Sequence, residues 1–155
     1  MKNKEINLGY VGLADYTKKT PLFELYAEKG DDDYEEQLKE HQKNLAKYPE
    51  NEQVIATNQE LTMTIDYPLR NPFKCKIDTS KGLTRRELVT LIAACYKQIY
   101  KEEDAGTKVK PGYIPGMFNR NTTDGKYGIW WHCLGDLILH TATIEGNELS
   151  VACDS

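Results

Sequence analysis

His132, Cys133 and Asp136 lie within five positions and supply the residue types that nucleophilic catalysis needs: a thiol, a base and a carboxylate to orient that base. Their spacing works against the chemistry. Neighbouring residues point to opposite sides of a strand and diverge by ~100° on a helix, so His132 and Cys133 do not face each other. Beside Trp130 and Trp131, Cys133 reads equally well as a buried, inert thiol.

A metal centre would need three or four ligands at a recognised spacing. His132, Cys133, His140 and Cys153 are close along the chain, but no CxxC or HxxxH pattern occurs, so neither a metal nor a cofactor is expected. Cys75, Cys95 and Cys153 fall on apolar faces and read as core thiols. His140, next to Thr141, reads as a partly exposed sheet residue. No Walker loop is present, and no GxGxxG follows a strand.

A polar run, Asn119 to Gly125, contains Arg120, the only arginine after Arg86. Arginine among amides and carboxylates can grip a carboxylate or phosphate, whereas Asp124-Gly125 is also an ordinary turn corner. Ten tyrosines and two adjacent tryptophans exceed what the core requires, and these are the aromatics that interfaces favour. Both tryptophans, with Tyr113, Phe118 and Tyr127, lie in 105–136, a connection rich in Gly and Pro. A long connection of this kind inside a domain is usually functional or disordered, and its apolar anchors argue for order. Tyr113, Arg120, Trp130 and His132 are therefore the expected contact residues. Phe118 and Trp131 are expected to turn inward, and Tyr113 and Trp130 outward, because adjacent residues of an extended chain face opposite sides.

These residues need a scaffold. Leu61, Met63, Ile65 and Tyr67 alternate with polar residues, as do Phe73, Cys75 and Ile77, with Pro68 and Pro72 between the two runs; this predicts a hairpin. A second hairpin is expected over 137–153, turning at Gly146-Asn147. Thr84-x-x-Glu87 is a capping box that opens a helix running to about Asp104. Its buried stripe is Leu88, Leu91, Ile92, Cys95 and Ile99, with Arg85, Arg86, Lys97 and Lys101 on the wet side. Upstream, Ile6, Leu8 and Tyr10 alternate as an edge strand would. Helices are expected from Thr20-Pro21 to Gly30 and from Asp33 to Tyr48, the second with acids first and lysines later, as the helix dipole favours.

Charge divides the chain at about residue 58. Residues 1–58 carry eight Lys and twelve Asp or Glu, and 59–155 carry twelve Lys or Arg and twelve Asp or Glu, so all of the net −4 lies upstream. That balance lacks the broad basic field of a non-specific nucleic-acid binder. The local exception is the 70–86 hairpin region, with Arg70, Lys74, Lys76, Lys81, Arg85 and Arg86 against Asp78.

The expected fold is α+β: a four-stranded, mostly antiparallel sheet from two hairpins, one long helix across a face, and a helical acidic N-terminal arm. It forms one domain over 1–155, with 1–58 as the arm and 59–155 as the body. No apolar stretch approaches the ~20 residues of a membrane helix, and no apolar block follows Met1, which predicts a cytoplasmic chain without a membrane partner. The expected function is a non-catalytic binding module that recognises a protein or small anionic ligand through 105–136. One alternative is a small enzyme using His132 and Asp136, with Cys133 nearby and Arg120 orienting an anionic substrate. The other is a nucleic-acid binder acting through the 70–86 hairpin, disfavoured by the charge balance.

Overall fold

Alternating side chains build a sheet, and a stripe of 3.6-residue period builds the helix that covers it. The computed structural model describes residues 3–14, 16–17, 35–36, 39, 53–112 and 120–155. Its strands are β1 (Lys4–Gly12), β2 (Val54–Ala56), β3 (Glu60–Ile65), β4 (Phe73–Asp78), β5 (Leu83–Thr84), β6 (Ile138–Glu145) and β7 (Glu148–Asp154), and its long helix is α1 (Arg85–Gly106).

Both expected hairpins form. β3 and β4 pair from Glu60↔Asp78 to Ile65↔Phe73, and β6 and β7 from Ile138↔Asp154 to Glu145↔Glu148. Gly146 supplies the positive φ, +61°, that the two-residue turn needs at its first position. The capping box is complete: Glu87 N–H donates to Thr84 Oγ1 at 3.1 Å, and Thr84 N–H to Glu87 Oε1 at 3.4 Å.

The sheet they build is not the four-stranded, mostly antiparallel one expected. It has five strands in the order β1-β6-β7-β3-β4 and is mixed, because β7 runs parallel to β3 over Thr62↔Glu148 to Thr64↔Ser150. Alternation identifies strands and tight turns; it does not specify which edges of two hairpins meet. Parallel neighbours need a long crossover, and the chain from β4 through α1 to β6 provides it.

The helical N-terminal arm is also corrected. Among the described residues of 1–58, only Glu35, Glu36 and Lys39 are helical, and all three are exposed; the remainder of the helices expected over 20–30 and 33–48 lies outside the described residues. What this region does contribute is sheet. β1 forms the fifth strand, antiparallel to β6, with Ile6, Leu8 and Val11 buried, and β2 pairs with β5 in a small second ladder. β1 carries a bulge where Gly9 takes φ +81° and its N–H meets Asn7 Oδ1.

One core lies between α1 and the sheet. Leu88, Ile92 and Ile99 are fully enclosed, as are Leu61, Met63 and Ile65 of β3. Burying each such side chain is worth ~1.5–3 kcal/mol. The stripe differs from expectation at two places. Leu91 is only half-buried, and Arg85, expected in water, is 3% exposed, its backbone N–H donating to Gln53 O at 3.1 Å just before β2.

Candidate functional site

The apolar stripe of α1 ends on a carboxylate. Glu103 continues the spacing of Ile92, Tyr96 and Ile99 and is fully enclosed. It accepts Thr123 Oγ1 at 2.6 Å and the backbone N–H groups of Gly125 at 2.9 Å, Tyr127 at 2.9 Å, Gly128 at 3.2 Å and Ile129 at 3.4 Å. Burial by itself raises a carboxyl pKa; the bonds from Thr123, Tyr127, Gly125 and Ile129 outweigh it and hold this one below the ordinary glutamate value. One side chain thus organises the whole 123–129 turn. Gly125 must lack a side chain, because a Cβ there would meet Glu103 Oε1 at 2.6 Å.

Arg120 braces the same segment. The residue is 7% exposed; its guanidinium bonds Asp104 Oδ1 at 2.6 Å and Thr123 Oγ1 at 3.3 Å and lies over the Tyr100 ring at 5.1 Å. Its backbone N–H donates to Trp131 O at 2.9 Å.

The chain leaving this cradle forms an aromatic corner at one end of the sheet. Trp130 N–H donates to Pro68 O at 3.1 Å, and His132 N–H turns back onto Trp130 O at 2.7 Å. The residue between them, Trp131, has φ +59°, in the left-handed region that non-glycine residues seldom enter. The rings of Tyr67, Trp130 and His132 pack as a triangle with centroids 5.2, 5.6 and 5.8 Å apart, Tyr67 and Trp130 edge to face. The Tyr67 hydroxyl shares hydrogen bonds with His132 Nε2 at 2.9 Å and Ser155 Oγ at 2.7 Å. From below, Tyr100 OH donates to His132 O and Tyr96 OH to Tyr67 O, each at 2.8 Å.

No protein-family model, no curated protein and no solved structure matches the chain. Geometry alone therefore carries any assignment of function.

The chain brings His132, Asp136, Cys133 and Arg120 together around Tyr100, which feels the charges of the last three and is pushed above the ordinary tyrosine range chiefly by burial. The catalytic arrangement of these residues does not follow from that proximity. His132 Nδ1 is 3.9 Å from Asp136 Oδ2, beyond a hydrogen bond, and that same oxygen accepts Cys133 N–H at 3.0 Å in the short 3-10 turn Leu134–Asp136. Tyr67 occupies the other ring nitrogen. The thiols elsewhere are held protonated: burial pushes Cys95 up to about 12 and Cys153 to about 11. Among the described residues, no three His, Cys, Asp or Glu side chains gather as metal ligands.

Trp131 departs from its expected role. It is 56% exposed, against 39% for Trp130, because the positive φ breaks the extended geometry that the inward assignment assumed. Tyr113 and Phe118 lie outside the described residues. The basic 70–86 stretch is divided. Lys74 and Lys76 point away from the core while Cys75 and Ile77 between them pack toward it, whereas Arg85 is buried and drops out of any basic face with them. Sequence reasoning missed Glu103, although two signals mark it: its place on the apolar stripe, and the run Glu102-Glu103-Asp104 at a helix C-terminus, where the dipole disfavours acids.

Proposed function

We propose that the chain is a non-catalytic binding module whose contact surface is the Trp130–Trp131–His132 corner of the 105–136 segment, rimmed by Tyr67. The observation that supports it is the exposure of two adjacent tryptophans on backbone held in a strained turn. A bulky residue at positive φ costs ~1–2 kcal/mol, and such strain persists where surrounding structure fixes a segment for a use other than stability. Here Glu103, Arg120 and Pro68 fix it. Large aromatics with a polar rim are the usual anchors of interfaces.

Arg120 enters this reading as a brace rather than a contact, because its guanidinium is enclosed and engaged with Asp104. Tyr113, outside the described residues, stays a candidate contact by sequence. Among the described residues no helix is long and apolar enough to cross a membrane; a protein partner in the cytoplasm is the setting proposed. The test is capture from an extract of the source cells with wild-type protein and Trp130→Ala and Trp131→Ala variants, each checked for folding by far-UV circular dichroism. Partners lost from folded variants are the expected result, and partners unchanged in both variants would overturn the assignment.

A further inference from the structure

Carboxylates surround the aromatic corner. Asp66 is exposed and immediately precedes Tyr67; Asp136 approaches His132 and is about a third exposed; Asp154 is exposed and precedes Ser155, which bonds Tyr67. Asp66 is close enough for its charge to act on both Tyr96 and Cys153, and Asp136 for its charge to act on Tyr100. The cations nearby are largely committed. Arg120 is bound to Asp104 at 2.6 Å, and His140 faces Asp154 at 3.3 Å. Arg70, exposed and with its stem against Gly128, is a further cation at this corner. Three carboxylates, Asp66, Asp136 and Asp154, against the exposed Arg70 give this corner an acidic balance.

We infer that the corner docks a basic, arginine-bearing peptide segment of a protein partner, with a guanidinium on the exposed indoles and its charge met by Asp66 and Asp136. The inference rests on the binding-module reading and narrows it. Indole is the best aromatic face for a cation. Arginine suits it better than lysine, because the planar guanidinium stacks and is weakly hydrated. A small anion would meet the same carboxylates as repulsion, offset only in part by the exposed Arg70 and not by the enclosed Arg120.

The two tryptophans of the protein both sit here, so tryptophan fluorescence, excited beyond the tyrosine absorption, observes this site alone. Full-length protein is titrated with a short arginine–glycine repeat peptide, its lysine–glycine and glutamate–glycine counterparts, and inorganic phosphate. A saturable change with the arginine peptide is expected, weaker with lysine, absent with glutamate or phosphate, and reduced by added salt. Trp131→Ala, with Trp130 left as reporter, should weaken binding about tenfold, and Asp66→Asn about threefold. Binding of the glutamate peptide or phosphate instead would overturn the inference and leave the module standing. Arginine-peptide binding that neither substitution weakens would overturn it as unspecific attraction. Silence toward every probe would also overturn it, with the extract capture then deciding the module reading by itself.

Discussion

The Glu103 carboxylate accepts the backbone N–H of Tyr127 at 2.9 Å across 24 residues, tying the last buried turn of α1 to the loop that carries the aromatic corner. Four further donors converge on the same group. Glu103→Ala would leave those donors without a partner inside the protein, and a loss of about 3–5 kcal/mol in urea unfolding is expected. Glu103→Gln keeps one acceptor oxygen and should cost less than alanine.

The same carboxylate predicts acid sensitivity. Its folded pKa is below the ordinary value of 4.5, so its contribution is complete at neutral pH and is lost as the pH falls through the lowered value. Stability measured between about pH 7 and pH 3 should fall less steeply in Glu103→Gln than in the wild type. An unchanged slope would assign the acid limb to other carboxylates held low by hydrogen bonds, such as Asp124 with Thr107, Lys108 and Val109.

Gly125→Ala tests the cradle from the other side. The new methyl would meet Glu103 Oε1 at 2.6 Å and Cδ at 2.9 Å, and five hydrogen bonds prevent that side chain from giving way. A loss of about 1–3 kcal/mol is expected. Gly106→Ala, where a Cβ meets nothing within 4 Å, is the control and should be near neutral or stabilising.

How far residue patterns foretold this molecule follows the range of the interactions involved. The capping box at Thr84, the turn at Gly146 and the alternation in β3, β4, β6 and β7 act within a few residues, and each formed where its pattern lay. The parallel pairing of Thr64 with Ser150 and the joining of β1 to β6 are matters of which edges meet across the whole chain, and alternation is silent on them. At the corner, Trp130 and His132 were legible by type, whereas the φ of Trp131 was not. No glycine or asparagine marks that position; the turn is imposed by distant partners at Pro68 and Arg120.

The stripe of α1 gives a graded prediction. Ile92 is fully enclosed, so Ile92→Ala should destabilise by about 2–5 kcal/mol. Leu91 keeps part of its surface in water, so Leu91→Ala should cost clearly less, about 1 kcal/mol. Equal losses at the two positions would contradict the half-buried placement of Leu91 beside the enclosed Ile92.

Trp131 allows backbone strain to be separated from contact. At an ordinary helix or strand position glycine is less stable than alanine by ~0.5–1 kcal/mol, because it loses more freedom on folding. At φ +59° the order should reverse, since alanine bears the cost of the left-handed conformation and glycine does not. Trp131→Gly is therefore expected to be more stable than Trp131→Ala by about 1 kcal/mol in denaturant unfolding followed by far-UV circular dichroism. Both variants lack the indole, so both should bind a partner equally weakly. Alanine proving the more stable by the usual margin would show that the turn relaxes at no cost. Restored binding in the glycine variant would show that the backbone turn, rather than the tryptophan face, makes the contact.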